Sequence, residues 1–584
     1  MAALSNSQVA EVFQEIASLL EIKGENTFKV RAYQRVAEAI AGLERELDQL
    51  RAEKGGLRSL PGVGASIAET IEELLDTGKS RHHQELLAEI PATVLDLLRI
   101  PGLGPKKAKL LMEQEKITTI EQLEEAARAG RLRTIRGMGE KTERDILRGI
   151  AHLREYEKRT DLGLAWEIAE NIMEQLRASA PVEQMEAAGS LRRMKETIGD
   201  IDLLVTSSEP EAVMESFAGL QLTAEVLVRG PTKTTIRTSA GIQADIRVVA
   251  PESFGAALQY FTGSKQHNIV LRDYAERHGL KLNEYGVFRV KDGEETRIGG
   301  ASEEEMYAAV GLPLIPPELR EDQGEIEAAR KGLLPTLVEV ADIKGEMHCH
   351  TNWSDGHGSV EQIARAAKEA GHSYLALTDH SPSQTVAGGL KIDRLLKRRE
   401  EVEKARKAVH GITLLEGTEV DILRDGELDY PDEILAELDY VVASVHSGWK
   451  MDRETMTRRI LAAIENPWVD CIGHPTGRLV GQREPYDVDI EAVLSAAARL
   501  GVAMEISSDP VRLDLRDVHA RRAKELGAKL MIVTDAHWPG SFSLLRFGVA
   551  TARRGWVEAG DVLNCLPLSQ LRKRLRRAKA KTKS

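Results

Sequence analysis

Two groups of residues have the types and spacing for metal-assisted phosphoryl chemistry. Asp200 and Asp202 stand two apart in GDIDLL, and Asp245 stands in QADIRVV. Side chains alternate along a strand, so Asp200 and Asp202 share one face while Ile201, Leu203 and Val205 turn to the core. Adjacent carboxylates repel, and divalent cations neutralise them. With Asp245 on a neighbouring strand, the three can hold two Mg²⁺ ions about 4 Å apart. One ion would activate a primer 3′-hydroxyl and the other would carry a triphosphate. Just upstream, Gly189-Ser-Leu-Arg-Arg193 can offer the backbone N–H groups of Gly189 and Ser190 to phosphate oxygens, with Arg193 as a charged fork.

The second group is His348, His350 and Asp355 in HCHTNWSDG, His380 in TDH, Glu419 in GTEVD, His446 in ASVHSGW, His474 in IGHPTGR, and Asp535 and His537 in TDAHW. Imidazole with carboxylate suits Zn²⁺ or Mn²⁺. Nine candidates exceed the needs of one ion, so two or three ions are expected. Closely spaced ions generate hydroxide, orient a phosphodiester and stabilise the leaving oxygen. His357 lies close by and is given no role. Cys349 and Cys471 are expected to be small buried wall residues.

The elements that must position these residues follow from periodicity. Seven apolar runs recur, KGEMHCH, YLALTDH, ITLLEGTEVD, YVVASVH, VDCIGHP, VAMEISS and KLMIVTDAH, and each ligand group ends one of these strand-like runs. These strand-like runs alternate with helical stretches over about 341–570, which predicts a parallel barrel with its site at the strand ends. From about 160 to 315, IDLLVT, TTIRTS and QADIRVVA read as strands in a mixed α+β region. Residues up to about 155 read as amphipathic helices punctuated by LPGVG, IPGLG and IRGMG. In each of these repeats two glycines allow a tight turn whose backbone N–H groups face a phosphate, a non-specific DNA clamp built on Gly62, Gly64, Gly102, Gly104, Gly137 and Gly139. Plain helical hairpins with glycine caps are the simpler alternative. Residues 312–340 hold four prolines and many charges, and 316–340 reads as a linker.

Composition sets outer bounds. A chain of 584 residues exceeds one core, and three to five domains are expected. The 42% hydrophobic and 29% charged residues exclude a globally disordered or fibrous chain. No apolar run is long enough to span a membrane, and Glu11 and Glu15 interrupt the N-terminal apolar stretch against a signal peptide. Three cysteines cannot build a disulfide framework, so a reducing cytoplasm is expected. The net charge of −13 weighs mildly against nucleic acid, but ten of the fifteen histidines follow residue 340, so totals hide local character. The end, LRKRLRRAKAKTKS, carries eight basic residues in fourteen and reads as a solvated tail or a DNA tether.

GSLRR, GDIDLL, ADIRVV and Tyr260-Phe-Thr-Gly-Ser264, followed by Asn268 and Arg272, resemble the family X DNA polymerases, the group of DNA polymerase beta, over residues 1 to about 315. The resemblance implies that Asp200, Asp202 and Asp245 are the catalytic metal-binding residues. It also implies that Gly189, Ser190 and Arg193 hold the incoming triphosphate, that Tyr260, Phe261 and Gly263 line the sugar pocket, and that Asn268 and Arg272 touch minor-groove edges. Two positions depart from the pattern. Thr70 stands where lyase-active members carry a Schiff-base lysine, and a threonine forms no imine, so lyase activity by this route is expected to be absent or weak. Gln243 stands where polymerase beta carries an arginine that orients the carboxylates. The barrel pattern resembles the PHP phosphoesterase domain appended to bacterial members, which implies all nine residues as ligands and a Mn²⁺-dependent 3′–5′ exonuclease, with apurinic-site endonuclease and 3′-phosphatase activities as relatives.

The resulting expectation is a multidomain α/β chain: 1–155 helical with helix-hairpin-helix motifs, 156–250 a nucleotidyltransferase palm, 251–315 a thumb, 316–340 a linker, 341–570 a TIM-like (β/α)7 PHP barrel and 571–584 a basic tail. It would fill short gaps in DNA repair with Mg²⁺ or Mn²⁺ at the polymerase site and Mn²⁺ or Zn²⁺ in the barrel. Its partners would be gapped or nicked DNA and dNTPs, and it would act as a cytoplasmic, nucleoid-associated monomer without membrane contact. Two alternatives remain: a nucleotidyltransferase fused to a small-molecule PHP phosphatase, and a DNA-binding module whose metals only stabilise the fold.

Overall fold

A computed structural model describes residues 6–41, 47–51, 56–60, 62–98, 100, 103–135, 137–156, 159–291 and 294–576. The chain divides into two compact units, Met1–Glu157 and Lys158–Ser584.

The first unit is helical. Helices Asn6–Lys23, Thr27–Ala41, Ala65–Thr77, Pro105–Glu115, Ile120–Arg128 and Glu140–Tyr156 share one apolar core that includes Phe13, Ile16, Leu20, Ile71, Leu111, Leu123 and Ile146. The three glycine repeats share one contact among the described residues. In each, the apolar residue between the glycines (Val63, Leu103, Met138) is buried, and its N–H bonds the carbonyl three residues back, at Leu60, Ile100 and Ile135. Gly62 and Gly137 take φ of 83° and 86°, a region that side chains resist. Gly64 and Gly104 are the N-caps of the following helices, and a Cβ at Gly64, Gly104 or Gly139 would meet nothing within 4 Å. Gly102 lies outside the described residues.

The second unit begins with a five-stranded sheet: β1 (Gln184–Ala187), β2 (Asp200–Thr206), β3 (Thr223–Arg229), β4 (Lys233–Thr238) and β5 (Gln243–Val248), in the order β1-β2-β5-β4-β3. Only β2 and β5 run parallel. Ile201, Leu203 and Val205 face a core with Ile172, Leu176, Val213 and Phe217 from helices Leu162–Ser179 and Pro210–Ala218. Leu204, on the opposite face, packs on Phe254 and Leu258 of helix Phe254–Thr262. The face that carries Asp200 and Asp202 is therefore the one next to that helix. Helix Lys265–Glu276, an antiparallel sheet of β6 (Leu280–Asn283), β7 (Gly286–Lys291) and β8 (Glu294–Gly299), and helix Glu303–Ala309 follow.

Residues 316–340, expected as a linker, are folded. They form turns and the helix Glu325–Lys331, with Arg320 and Glu325 buried. Arg320 pairs with Glu303 at 2.6 Å, and Glu325 hydrogen-bonds His267 at 2.6 Å, so charges that read as solvated have partners inside.

Seven parallel strands follow in sequence order: β9 (Gly345–Glu346), β10 (Tyr374–Leu377), β11 (Thr413–Asp421), β12 (Tyr440–Ser444), β13 (Cys471–Ile472), β14 (Ala503–Ser507) and β15 (Leu530–Val533). A parallel bridge from Cys349 to Ala536 brings the first strand's end to the last. Every residue of β10, β12, β14 and β15 is buried, as expected for barrel strands with helices outside and packed side chains inside. Cys349 and Cys471 are buried in this wall. The barrel also extends the core of the first sheet, where Leu513 and Phe547 pack among that sheet's apolar residues. Ion pairs Arg478–Glu196 (2.8 Å) and Arg546–Glu170 (2.8 Å) frame this contact.

Candidate active sites

The parallel pairing of β2 with β5 puts Asp202 opposite Asp245 and Asp200 opposite Gln243. Ligand oxygens of Asp200, Asp202 and Asp245 lie within 4.8 Å of one another. Burial, and then the charges of Asp200 and Asp245, push Asp202 up to about 7, and burial with Asp245 raises Asp200. Such a cluster is costly without cations and suits divalent ions. Asp245 is fixed from three sides: Thr235 Oγ1 donates to its Oδ1, Gln243 Nε2 donates to its Oδ2 at 3.3 Å, and Lys233 Nζ lies 3.6 Å away. Gln243 thus orients the carboxylate as a neutral donor.

Gly189 stands against this cup. Its φ is 61°, and a Cβ there would lie 2.5 Å from Asp202 Oδ2. The GSLRR and YFTGS segments meet: Arg192 donates to Thr262 Oγ1 at 2.8 Å, and Arg193 Nη1 donates to the Thr262 carbonyl. A Cβ on Gly263, whose φ is 69°, would lie 3.2 Å from that same Nη1. Tyr260 and Phe261 pack edge to face with centroids 5.2 Å apart, and Arg247 lies over the Phe261 ring at 4.6 Å. Asn268 is more engaged than its expected minor-groove role implies. It accepts from Gln259 at 2.8 Å and donates to the Tyr260 carbonyl at 2.7 Å, while Arg272 donates to the Asn268 carbonyl at 3.2 Å. Thr70 is buried, and its hydroxyl donates to the Ser66 carbonyl at 3.0 Å.

The barrel's second group converges on Glu419. Its Oε2 lies 2.9 Å from His380 Nδ1, 3.4 Å from His348 Nε2 and 3.6 Å from His350 Nε2, and its Oε1 lies 3.0 Å from His474 Nε2 and 3.2 Å from His446 Nε2. Asp535 Oδ1 is 3.1 Å from His350 and 3.5 Å from His348. Asp355 Oδ2 is 3.3 Å from His380 and 3.4 Å from His537. Three overlapping sets can each seat an ion: His350, Asp355, His380 and His537; His348, His350 and Asp535; and His380, Glu419 and His446. His348 Nε2, both nitrogens of His350, His380 Nδ1 and Asp535 Oδ1 are buried without hydrogen-bond partners. Buried polar atoms left unmet within these sets fit metal ions. Asp535 also holds a left-handed backbone (φ 51°), a strain common at working sites.

The electrostatics agree. Burial acts to raise Glu419, but the imidazoles of His446, His380 and His348 hold it well below the usual carboxylate range. Burial acts to lower His537, yet the bond to Asp355 and the charge of Asp535 push it up to about 9. Sequence reasoning missed the residues behind the ligands. Glu505 accepts from His348 Nδ1 at 2.7 Å and Asp421 from His446 Nδ1 at 2.5 Å, which turns each Nε2 inward. Arg512 Nε stands 3.8 Å from Asp535. The available signal was position: Asp421 shares a strand face with Glu419, and Glu505 sits on the sixth barrel strand.

Four family models match the chain: a helix-hairpin-helix domain at 4–80, a SAM-like helix-hairpin-helix tandem at 94–151, the DNA polymerase beta thumb at 257–321 and the PHP domain at 346–509. The DNA polymerase/3′-5′ exonuclease PolX of Bacillus subtilis (strain 168) is 37% identical over 576 residues, 98% of this chain and 100% of that protein. A probable phosphatase of Thermoanaerobacter sp. (strain X514) is 35% identical over 214 residues, 35% of this chain and 81% of its own. Another, from Shewanella sp. (strain ANA-3), is 32% identical over 241 residues, 39% of this chain and 89% of its own.

Proposed function

This chain belongs to the bacterial family X DNA polymerases with a C-terminal PHP domain, and from that premise we propose how its two clusters divide the labour. It is a DNA polymerase with 3′–5′ exonuclease activity that binds DNA and uses divalent metal. In our reading Asp200, Asp202 and Asp245 serve nucleotidyl transfer, and the nine barrel residues serve phosphodiester hydrolysis. Bound Mg²⁺ or Mn²⁺ at the aspartates, and two or three Mn²⁺ or Zn²⁺ ions in the barrel, supply Lewis acidity and a nucleophile at neutral pH. The side chains do the rest. Thr235 and Gln243 hold Asp245 in place. Gly189 and Ser190 offer N–H groups, and Arg193 offers charge, to the triphosphate of a dNTP. Tyr260, Phe261 and Gly263 shape the sugar pocket. Asn268 and Arg272 take the minor-groove edges of the nascent pair, at the expense of the Gln259 and Tyr260 bonds of Asn268. Glu505 and Asp421 fix the tautomers of His348 and His446.

The observation that carries this reading is the register of Asp202 with Asp245 beside a separate buried imidazole–carboxylate cluster. The glycine turns Gly62–Gly64, Gly102–Gly104 and Gly137–Gly139 grip gapped or nicked DNA, and 3′ ends trimmed in the barrel are then extended in short-gap repair. Apurinic-site cleavage and 3′-phosphate removal suit the same barrel, and lyase activity through position 70 is absent or weak, because a threonine forms no imine. No helix among the described residues is long and apolar enough to cross a membrane. We place the chain in the cytoplasm, on the nucleoid, as a monomer. Primer extension and 3′ trimming on gapped DNA test this. Asp200→Ala should stop extension and His348→Ala should stop trimming, and survival of either reaction in its variant removes that assignment. The likeness of the barrel to probable phosphatases favours a second reading, free phosphomonoester hydrolysis, which faster turnover of such esters than of DNA ends would support.

A further inference from the structure

Arg193 is held by a chain of contacts that starts in the barrel wall. Its Nε donates to Glu321 Oε1 at 3.0 Å and its Nη1 to the Thr262 carbonyl. That leaves Nη2 as the guanidinium nitrogen with no hydrogen bond among the described residues. The same Glu321 oxygen accepts from Arg554 Nη1 at 3.1 Å, and this Nη1 also donates to the Arg193 carbonyl at 2.9 Å. Arg554 is fixed in turn by Asp517, whose Oδ2 accepts from Nε at 3.0 Å and from Nη2 at 2.8 Å. Asp517 begins helix Asp517–Leu526 and Arg554 ends helix Leu545–Arg554, both in the barrel. The side chains of Arg554 and Arg193 are 5% and 13% exposed, so the ion pairs are poorly screened and geometrically defined.

We propose that Arg554 is a positioning residue for nucleotide addition: through Glu321 and the Arg193 carbonyl, the barrel sets the orientation of the Arg193 guanidinium toward a triphosphate. This rests on the assignment of Arg193 to the triphosphate. A guanidinium loosened by about 1 Å at such a site loses much of its value, because polyphosphate binding depends on aligned donors. The neighbouring Arg553 gives a matched control. It also joins the barrel to the 316–340 segment, through Glu318 at 2.6 Å, without touching Arg193.

The test is steady-state gap filling by the full-length protein with varied dNTP, alongside 3′ trimming. Arg554→Met should raise the dNTP KM about tenfold with a much smaller change in kcat. Glu321→Gln should do the same, and serves where Arg554→Met does not fold. Arg553→Met should leave the KM unchanged, and trimming should persist throughout. Arg193→Ala should raise the KM by itself, and adding Arg554→Met to it should raise the KM no further. The inference is overturned if Arg193→Ala raises the KM but Arg554→Met and Glu321→Gln do not, if Arg553→Met matches Arg554→Met, or if the Arg554 effect persists in the Arg193→Ala background. If Arg193→Ala leaves the KM unchanged, the triphosphate assignment itself fails, and the inference falls with it.

Discussion

Gly189 and Asp202 set the first constraint at the residue scale, because a Cβ at 189 would lie 2.5 Å from the Asp202 carboxylate. Gly189→Ala should therefore cut extension about a hundredfold or more while sparing trimming, as primer extension on gapped DNA would show. Protonation is the second constraint. With Asp202 pushed up to about 7, divalent binding at the three aspartates releases protons, and affinity rises as pH climbs through 7. With His537 pushed up to about 9 and His348, His380 and His446 also raised, metal-free imidazoles must lose protons to become ligands. Barrel affinity should accordingly fall as pH is lowered. Calorimetric metal titrations in two buffers of different ionisation heat should reveal proton release, and equal heats would contradict it. The ligand candidates were legible because imidazole and carboxylate are rare together at strand ends. Glu505 and Asp421 were not, since a carboxylate behind a histidine is recognised only once its Nδ1 partner is known.

Turns and strands at the element scale were legible where one physical demand sets the sequence. The barrel strands read as apolar runs because both faces are covered, and the first and third glycine repeats read as hairpins because Gly62 and Gly137 take φ near 85°. The two glycines of a repeat do different work, and substitution separates them. Gly137→Val forces a branched side chain into the left-handed region and should cost about 1–2 kcal/mol of stability. Gly64 has φ of −84° and open space around its missing Cβ, so Gly64→Ala should leave stability nearly unchanged. It should nevertheless weaken DNA binding, because the methyl group keeps a phosphate from the helix N-terminus. Thermal unfolding and DNA titration on both variants check this, and unchanged DNA affinity in Gly64→Ala would remove the clamp role of that turn.

At the scale of the molecule, the segment 316–340 shows what composition conceals. Four prolines and many charges in 312–340 read as a spacer, yet Arg320 and Glu325 are buried against Glu303 and His267, and only tertiary partners reveal that. The shared core was equally hidden, because Leu513 and Phe547 look like barrel residues in sequence and pack with the sheet that carries the aspartates. Phe547→Ala should cost about 3–5 kcal/mol in denaturant titration. It should reduce extension as well as trimming, since both depend on that packing. The most direct measurement is a crystal of the protein grown with Mn²⁺ and read by anomalous diffraction. Manganese peaks are expected at Asp200, Asp202 and Asp245, and a separate group of two or more among the nine barrel residues. An absence of manganese from either place would contradict this expectation.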